Sequence, residues 1–207
     1  MATRRSRTKA RKNPLQERSR AMVEAILEAA ARVFVKEGYA ASTNRIALAA
    51  GVSVGSLYQY FPSKDAIAVE LLRRYRESLV ELVGSALAEV ETKPFEVVVR
   101  RLLADLLRAE RIDPGLHRVL IEQVLRTPAR REVIGFEERF EELLASALRK
   151  MGKRVRVKDY EVAAFLLVRV VVTVVQSAVV DRPRLNTPVL VDELTRLVSA
   201  YVETGAA

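Results

Sequence analysis

The sequence predicts an all-α fold: an N-terminal three-helix domain with a helix-turn-helix, then a larger C-terminal helical domain. Two observations carry this. Apolar residues recur three and four positions apart from residue 14 almost to the end, the spacing of one helix face. The segments they define are opened by Ser, Asp or Asn and closed by Gly or a following Pro, as caps and stops require. The 207 residues are 50% hydrophobic and 29% charged, with mean hydropathy +0.05, which is enough apolar material for a core and excludes a disordered chain.

The first helix opens at Asn13 as cap, Pro14 at the first helical position and Gln16 at the capping-box position. Its apolar face is Val23, Ile26/Leu27, Ala30 and Val33/Phe34, and Gly38 stops it, giving a helix over 14–36. Ser42 or Thr43 caps a short second helix with Ile46, Ala47 and Ala50 on its inner face, ended by Gly51. Ser53 caps a third, with Val54, Leu57 and Phe61 expected inward and Pro62 as breaker. Ser63 and Asp65 open the next helix, where an acid suits the dipole. Further helices are expected at 64–91, 94–111, 114–126, 128–150, 157–181 and 187–204. They are separated by Thr92-Lys93-Pro94, Asp113-Pro114-Gly115, Thr127-Pro128, Gly152 and Arg182-Pro183.

Val162–Val180 is almost wholly apolar. Nineteen residues without a turn signal are too long for a strand. A membrane span would hold Arg169 near its centre at a cost of about 2.5–3.5 kcal/mol, with Thr173 and Gln176 beside it. The segment is therefore expected as a soluble core helix covered on every side, with no membrane as partner.

Zero cysteines exclude a disulfide scaffold, a thiolate metal site and a cysteine nucleophile, and the single histidine, His117, excludes a His-rich metal centre. The one Gly-x-Ser-x-Gly string, Gly51–Gly55, joins two helical segments and is not the strand-to-helix turn of a nucleophile elbow, and Walker and zinc motifs are missing, so neither an enzyme nor a cofactor is expected.

The net charge of +9 is unevenly spread. Residues 1–20 carry eight basic groups, among them Arg4, Arg5 and Arg7, and one acid, leaving +2 for the other 187 residues. This arm lacks the apolar run of a secretory signal. It reads as a solvated tail, as a device that neutralises nucleic-acid phosphates or enters a minor groove, or as a membrane-surface patch. Residues 21–65 hold four basic groups and four acids, a net of zero.

Two short helices joined by a Gly turn match a helix-turn-helix unit. The second exposes Gly55, Ser56, Tyr58, Gln59 and Tyr60 with almost no charge. Small residues let backbone approach a groove, while Tyr and Gln supply hydrogen bonds and ring surface; an ordinary helix with rim tyrosines is the alternative.

The run from Gly38-Tyr39 through Ser42-Thr43-Asn44-Arg45-Ile46-Ala47, Ala50-Gly51-Val52-Ser53, Tyr58-Gln59-Tyr60-Phe61 and Ser63-Lys64-Asp65 resembles the DNA-binding signature of TetR-family (tetracycline-repressor-like) transcriptional regulators. The close resemblance covers about residues 15–70; beyond them only the helical plan is similar. It implies a basic, disordered arm (1–13), a helix-turn-helix DNA-binding domain (14–63) and a ligand-binding and dimerisation domain (64–207). It implies phosphate contacts for Thr43 and Lys64, and backbone or groove contacts for Ser53, Ser56 and Tyr58. Asn44, Val54, Gly55, Gln59 and Tyr60 fall where relatives touch bases. Several relatives carry arginine or a longer polar residue at the positions of Asn44 and Val54, so shape and the arm would carry more of the specificity. The implied function is a cytoplasmic, ligand-released repressor binding a palindromic operator in double-stranded DNA as a homodimer. The alternative is a helical-bundle interaction protein without a specific DNA target.

For the homodimer, segments 157–181 and 187–204 are the candidates, the latter with Val189/Leu190, Leu194, Leu197/Val198 and Tyr201/Val202 at helical spacing. Polar residues set in apolar helices are pocket candidates for a largely apolar small-molecule effector: Tyr75, His117, Gln123, Arg169, Thr173 and Gln176. The last three share one helix face. Arg169 paired with a structural carboxylate, and His117 at a helix start, are the alternatives.

Overall fold

The computed structural model describes residues 14–112, 136–185 and 187–203. The arm with Arg4, Arg5 and Arg7, the expected helix 114–126 with His117 and Gln123, and the start of the expected helix 128–150 lie outside the described residues. The chain divides into two compact units, Met1–Ile67 and Ala68–Ala207. Among the described residues every regular element is helical; one isolated bridge joins Val155 to Glu203.

In the first unit, α1 (Pro14–Glu37) packs on α2 (Thr43–Ala50), which is joined to α3 (Val54–Tyr60). The 3.6-residue repeat turns Ile26, Ala30, Val33 and Phe34 of α1 inward, and Ile46 and Ala47 of α2, Leu57 and Phe61 are buried with them. Val54, expected inward, is 37% exposed. It is the first residue of α3, one turn ahead of the buried Leu57 and two ahead of Phe61, where the packed stripe has not begun.

The second unit contains most of α4 (Lys64–Leu87), a 3-10 turn over Ala88–Glu91, α5 (Phe95–Ile112) and α6 (Phe136–Met151). After a second 3-10 turn, Gly152–Arg154, come α7 (Tyr160–Val180) and α8 (Pro188–Val202). Pro188 stands at the first position of α8, and the Thr187 side chain accepts from the Leu190 N–H at 3.4 Å. Asp159 caps α7 by accepting from the Glu161 and Val162 N–H groups, each at 3.0 Å. α7 lies along α6, α8 along α5, and α5 also meets α7. Their shared core includes Val90, Phe95, Leu103, Leu148, Leu167 and Val202.

Tyr160–Val179 is long and apolar enough by composition to cross a membrane. In the fold, Ala163, Leu167, Val168 and Val175 are buried in this core, and Ala164 is buried as well. The expectation of cover on every side is corrected: Val162, Phe165, Leu166, Arg169, Val170 and Thr173 form an exposed stripe, because α5 and α6 supply cover on one side only.

Candidate nucleic-acid interface

The α2–α3 hairpin is set by its caps. Ser42, in extended backbone, accepts from the Arg45 N–H at 3.3 Å and starts α2. Gly51 ends α2 with φ 69°, a left-handed conformation that a Cβ-bearing residue adopts at a cost, and its N–H reaches the last-turn carbonyls. Ser53 then accepts from the Ser56 N–H at 3.0 Å and starts α3, and the two serine hydroxyls lie 2.8 Å apart. Three residues, Gly51–Ser53, thus separate the two helices, and Ile46 of α2 and Leu57 of α3 are both fully buried.

The Thr43 and Tyr58 hydroxyls lie 3.0 Å apart, joining the start of α2 to α3. Asn44, Ser53, Gly55 and Gln59 are exposed and Tyr58 is 49% exposed; Thr43, Ser56 and Tyr60 are half-buried. Lys64 is half-buried as well. Its ammonium donates to the carbonyls of Tyr39 at 2.5 Å and Ala41 at 3.1 Å, and stands 4.4 Å from the centre of the Tyr39 ring. Ala41 precedes the Ser42 cap, so Lys64 sits beside the start of α2, two residues from Thr43. The ten residues named by sequence on this unit therefore gather around the hairpin.

Other charges here are committed. Arg45 forms a bidentate pair with Glu37, at 2.7 and 3.3 Å, and its hydrogen bond holds the Glu37 carboxyl below the usual carboxylate range. Tyr39 donates its hydroxyl to Asp65; burial, then this bond, raises its pKa. Tyr39 and Glu37 carry no role in the sequence reading. Their partners lie 26 and 8 residues away, and neither spacing marks a contact. What remains on the hairpin is a neutral surface of hydroxyls, amides and ring edges. Such a surface can grip phosphates by hydrogen bonds and fit a groove, without strong long-range attraction to DNA.

The second unit holds a cavity of about 130 Å³ that is partly open to solvent. Its walls are apolar, with Leu79, Val83, Leu103, Phe140, Leu167 and Val172 among them. Four polar side chains join them: Tyr75, Arg76, Glu137 and Gln176. Of the pocket residues named from sequence, Tyr75 and Gln176 line it. Thr173 is exposed, and Arg169 turns outward to pair with Glu137 and, at 3.2 Å, Glu141. Arg76 and Glu137 were not named; each is a charged residue on an amphipathic helix, a pattern that solvated faces share.

Among the described residues, a capped helix-turn-helix with a neutral polar face and a helical body around an apolar cavity define a helix-turn-helix protein of the all-α class. Residues 26–71 match the bacterial regulatory proteins of the tetR family, and residues 94–201 match the tetracyclin repressor-like C-terminal domain. The chain belongs to the TetR family. Among curated proteins it is 32% identical over 84 residues to the nucleoid occlusion factor SlmA of Glaesserella parasuis, covering 41% of this chain and 40% of that protein. It is 42% identical over 67 residues to the HTH-type transcriptional repressor KstR2 of Rhodococcus jostii, covering 30% and 33%. The chain thus spans well under half the length of these relatives. A TetR-family regulator from Mesorhizobium loti has the same fold, with TM-score 0.73 at 21% identity over 90% of this chain and 99% of that one.

Proposed function

We propose that the protein is a cytoplasmic repressor that binds a palindromic operator as a homodimer and is released by a small, largely apolar effector. The observation that supports the reading best is the Thr43–Tyr58 hydroxyl contact, which fixes a neutral reading face on the α2–α3 hairpin. In this reading residues 14–63 form the DNA-binding domain and 64–207 the ligand-binding and dimerisation domain. Thr43, Ser53, Ser56, Tyr58 and Lys64 hold phosphates, and Asn44, Val54, Gly55, Gln59 and Tyr60 face bases. The arm, with Arg4, Arg5 and Arg7, supplies long-range attraction. The name of the KstR2 relative, a repressor, favours repression.

The exposed apolar stripe of α7, with Val189 and Leu197 of α8, is the surface through which two copies pair; burying it in water-free contact is favourable by about 25 cal/mol per Å². Half-sites one turn apart need reading helices about 34–36 Å apart, or a multiple of that. α4 carries both Lys64 and the cavity residue Tyr75. An effector that favours the wrongly spaced state by about 1–3 kcal/mol would release DNA.

The test is binding of the purified protein to its own upstream DNA. Tyr58→Ala and Lys64→Ala, with helical content intact, should lose the specific complex, and a palindrome should lie under the footprint. Sequence-blind binding by the wild-type protein would overturn the reading.

A further inference from the structure

The shape and polarity of the cavity assign a class of ligand, an inference that rests on the proposed effector reading. Helix directions follow from cross-helix contacts. A Cβ on Gly84 of α4 would meet Leu143 of α6, and Glu91, seven residues on, pairs with Lys150, seven residues on. α4 and α6 therefore run side by side in the same direction. α6 and α7 run oppositely, since Arg149 pairs with Glu161 while Arg169 pairs with Glu137 and Glu141.

These directions place the four polar lining residues together. Tyr75 and Arg76 are the first cavity residues of α4, Glu137 the first of α6, and Gln176 the last of α7. The opposite end, at Leu87, Phe95 and Val99, is wholly hydrocarbon. From Tyr75 to Leu87 the helix rises about 18 Å, and from Phe95 to Leu106 about 16 Å, at about 1.5 Å per residue. The cavity, of about 130 Å³, is hydrocarbon at one end and polar at the other.

We infer that its ligand is a single unbranched acyl chain bearing one acidic head, a fatty acid of about 12–14 carbons. A fully extended chain advances about 1.2 Å per bond, taking the peptide backbone's reach of about 3.5 Å per three bonds as the measure, so the bonds of 12–14 carbons span about 13–16 Å and, with about 3.5 Å for the van der Waals radii at the two ends, fill about 17–19 Å. The head is an acceptor, because Arg76, Tyr75 and Gln176 supply N–H and O–H donors, while the Glu137 carboxylate is engaged by Arg169. The five N–H groups of Arg76 can serve a carboxylate along with other partners.

The experiment is calorimetric titration of the full chain with sodium alkanoates of 6–18 carbons below their micelle concentrations, alongside dodecylamine, dodecanol and cholate. Affinity should rise about fourfold per methylene and stop rising near 12–14 carbons. Dodecanoate should exceed dodecylamine at least tenfold. Val99→Phe should shorten the optimum by two or three carbons. Arg76→Met should weaken dodecanoate about tenfold and leave dodecanol unchanged, an effect that loss of folding would not give. An affinity that keeps rising through 18 carbons, equal binding of dodecylamine, or cholate binding as tightly as dodecanoate would overturn the assignment. Operator binding measured in parallel separates the two ideas. Dodecanoate that binds with the expected optimum yet leaves DNA bound supports the ligand class and removes effector release. A cholate-type compound that binds and releases DNA does the reverse.

Discussion

The Tyr58 hydroxyl lies 3.0 Å from the Thr43 hydroxyl, tying the exposed face of α3 to the first turn of α2. Each hydroxyl keeps a lone pair or a proton for a second partner, so both can meet one phosphate with Tyr58 already oriented. The pair is exposed, so it adds little to folding and its effect falls on binding. Tyr58→Phe should leave stability within about 0.5 kcal/mol of wild type. It should weaken operator binding about five- to tenfold, as expected for one lost hydrogen bond of about 1 kcal/mol. Fluorescence anisotropy on operator DNA and thermal unfolding measure the two. A loss of stability equal to the loss of binding would refute this division.

Lys64 is different. Two backbone carbonyls, of Tyr39 and Ala41, depend on its ammonium, and the Tyr39 ring lies beneath it. Lys64→Met keeps the aliphatic stem but removes both hydrogen bonds. It should cost about 1–2 kcal/mol of stability, scaled down for partial exposure, besides weakening DNA binding. Lys64→Arg, whose planar fork does not reproduce an ammonium between two carbonyls, should restore only part of either. Denaturant unfolding of the three proteins gives the comparison.

Both contacts show what a linear pattern conveys and what it does not. Ser42, Gly51 and Ser53 could be placed from sequence because a cap or a stop is settled within three or four residues. The inner faces of α1 and α2 followed from spacing for the same reason, with Ile26, Ala30, Val33, Phe34, Ile46 and Ala47 buried. The Tyr39–Lys64 and Arg169–Glu137 contacts join residues 25 or more apart, and nothing local distinguishes these side chains from solvated ones. The exposed stripe of α7 was hidden by its composition: valine and leucine look alike whether the cover comes from the same chain or from another.

Tyr39 gives a pH signature. Burial and the bond to Asp65 raise its pKa in the folded protein above the ordinary value of about 10. A raised folded-state pKa contributes stability that is fully present below pH 10 and is lost as pH climbs past it, because the unfolded chain then ionises first. Wild-type stability should therefore fall more steeply above about pH 10 than that of Tyr39→Phe. Unfolding midpoints at pH 8, 9.5 and 10.5 for both proteins decide it; parallel curves would remove Tyr39 from the account.

The α7 stripe makes its own demand. Phe165, Leu166 and Val170 are exposed large apolar side chains on one face, with Val189 and Leu197 exposed on α8. Leu166→Glu removes no core packing, so folding should stay within about 0.5 kcal/mol. In a pair of copies related by a two-fold axis, each substitution acts twice and buries an unpaired carboxylate on both sides. Light scattering should show a dimer for wild type and a monomer for Leu166→Glu, with operator affinity falling together with the dimer.

The arm and the hairpin divide affinity from register. The hairpin and its surroundings, residues 21–65, carry no net charge, whereas residues 1–20 carry +7. If each arm neutralises about four phosphates, a dimer's log K should fall with log salt at a slope near −7, using about −0.9 per phosphate. Deleting residues 1–12 should flatten that slope to a small remainder and weaken binding at low salt most. The order of preference among operator variants should survive, because Tyr58, Gln59 and their neighbours still meet the same groove. Titrations at five salt concentrations, on operator and scrambled DNA, measure slope and preference together. An unchanged slope after deletion would mean that the phosphates are neutralised by other groups and that the arm is a solvated tail.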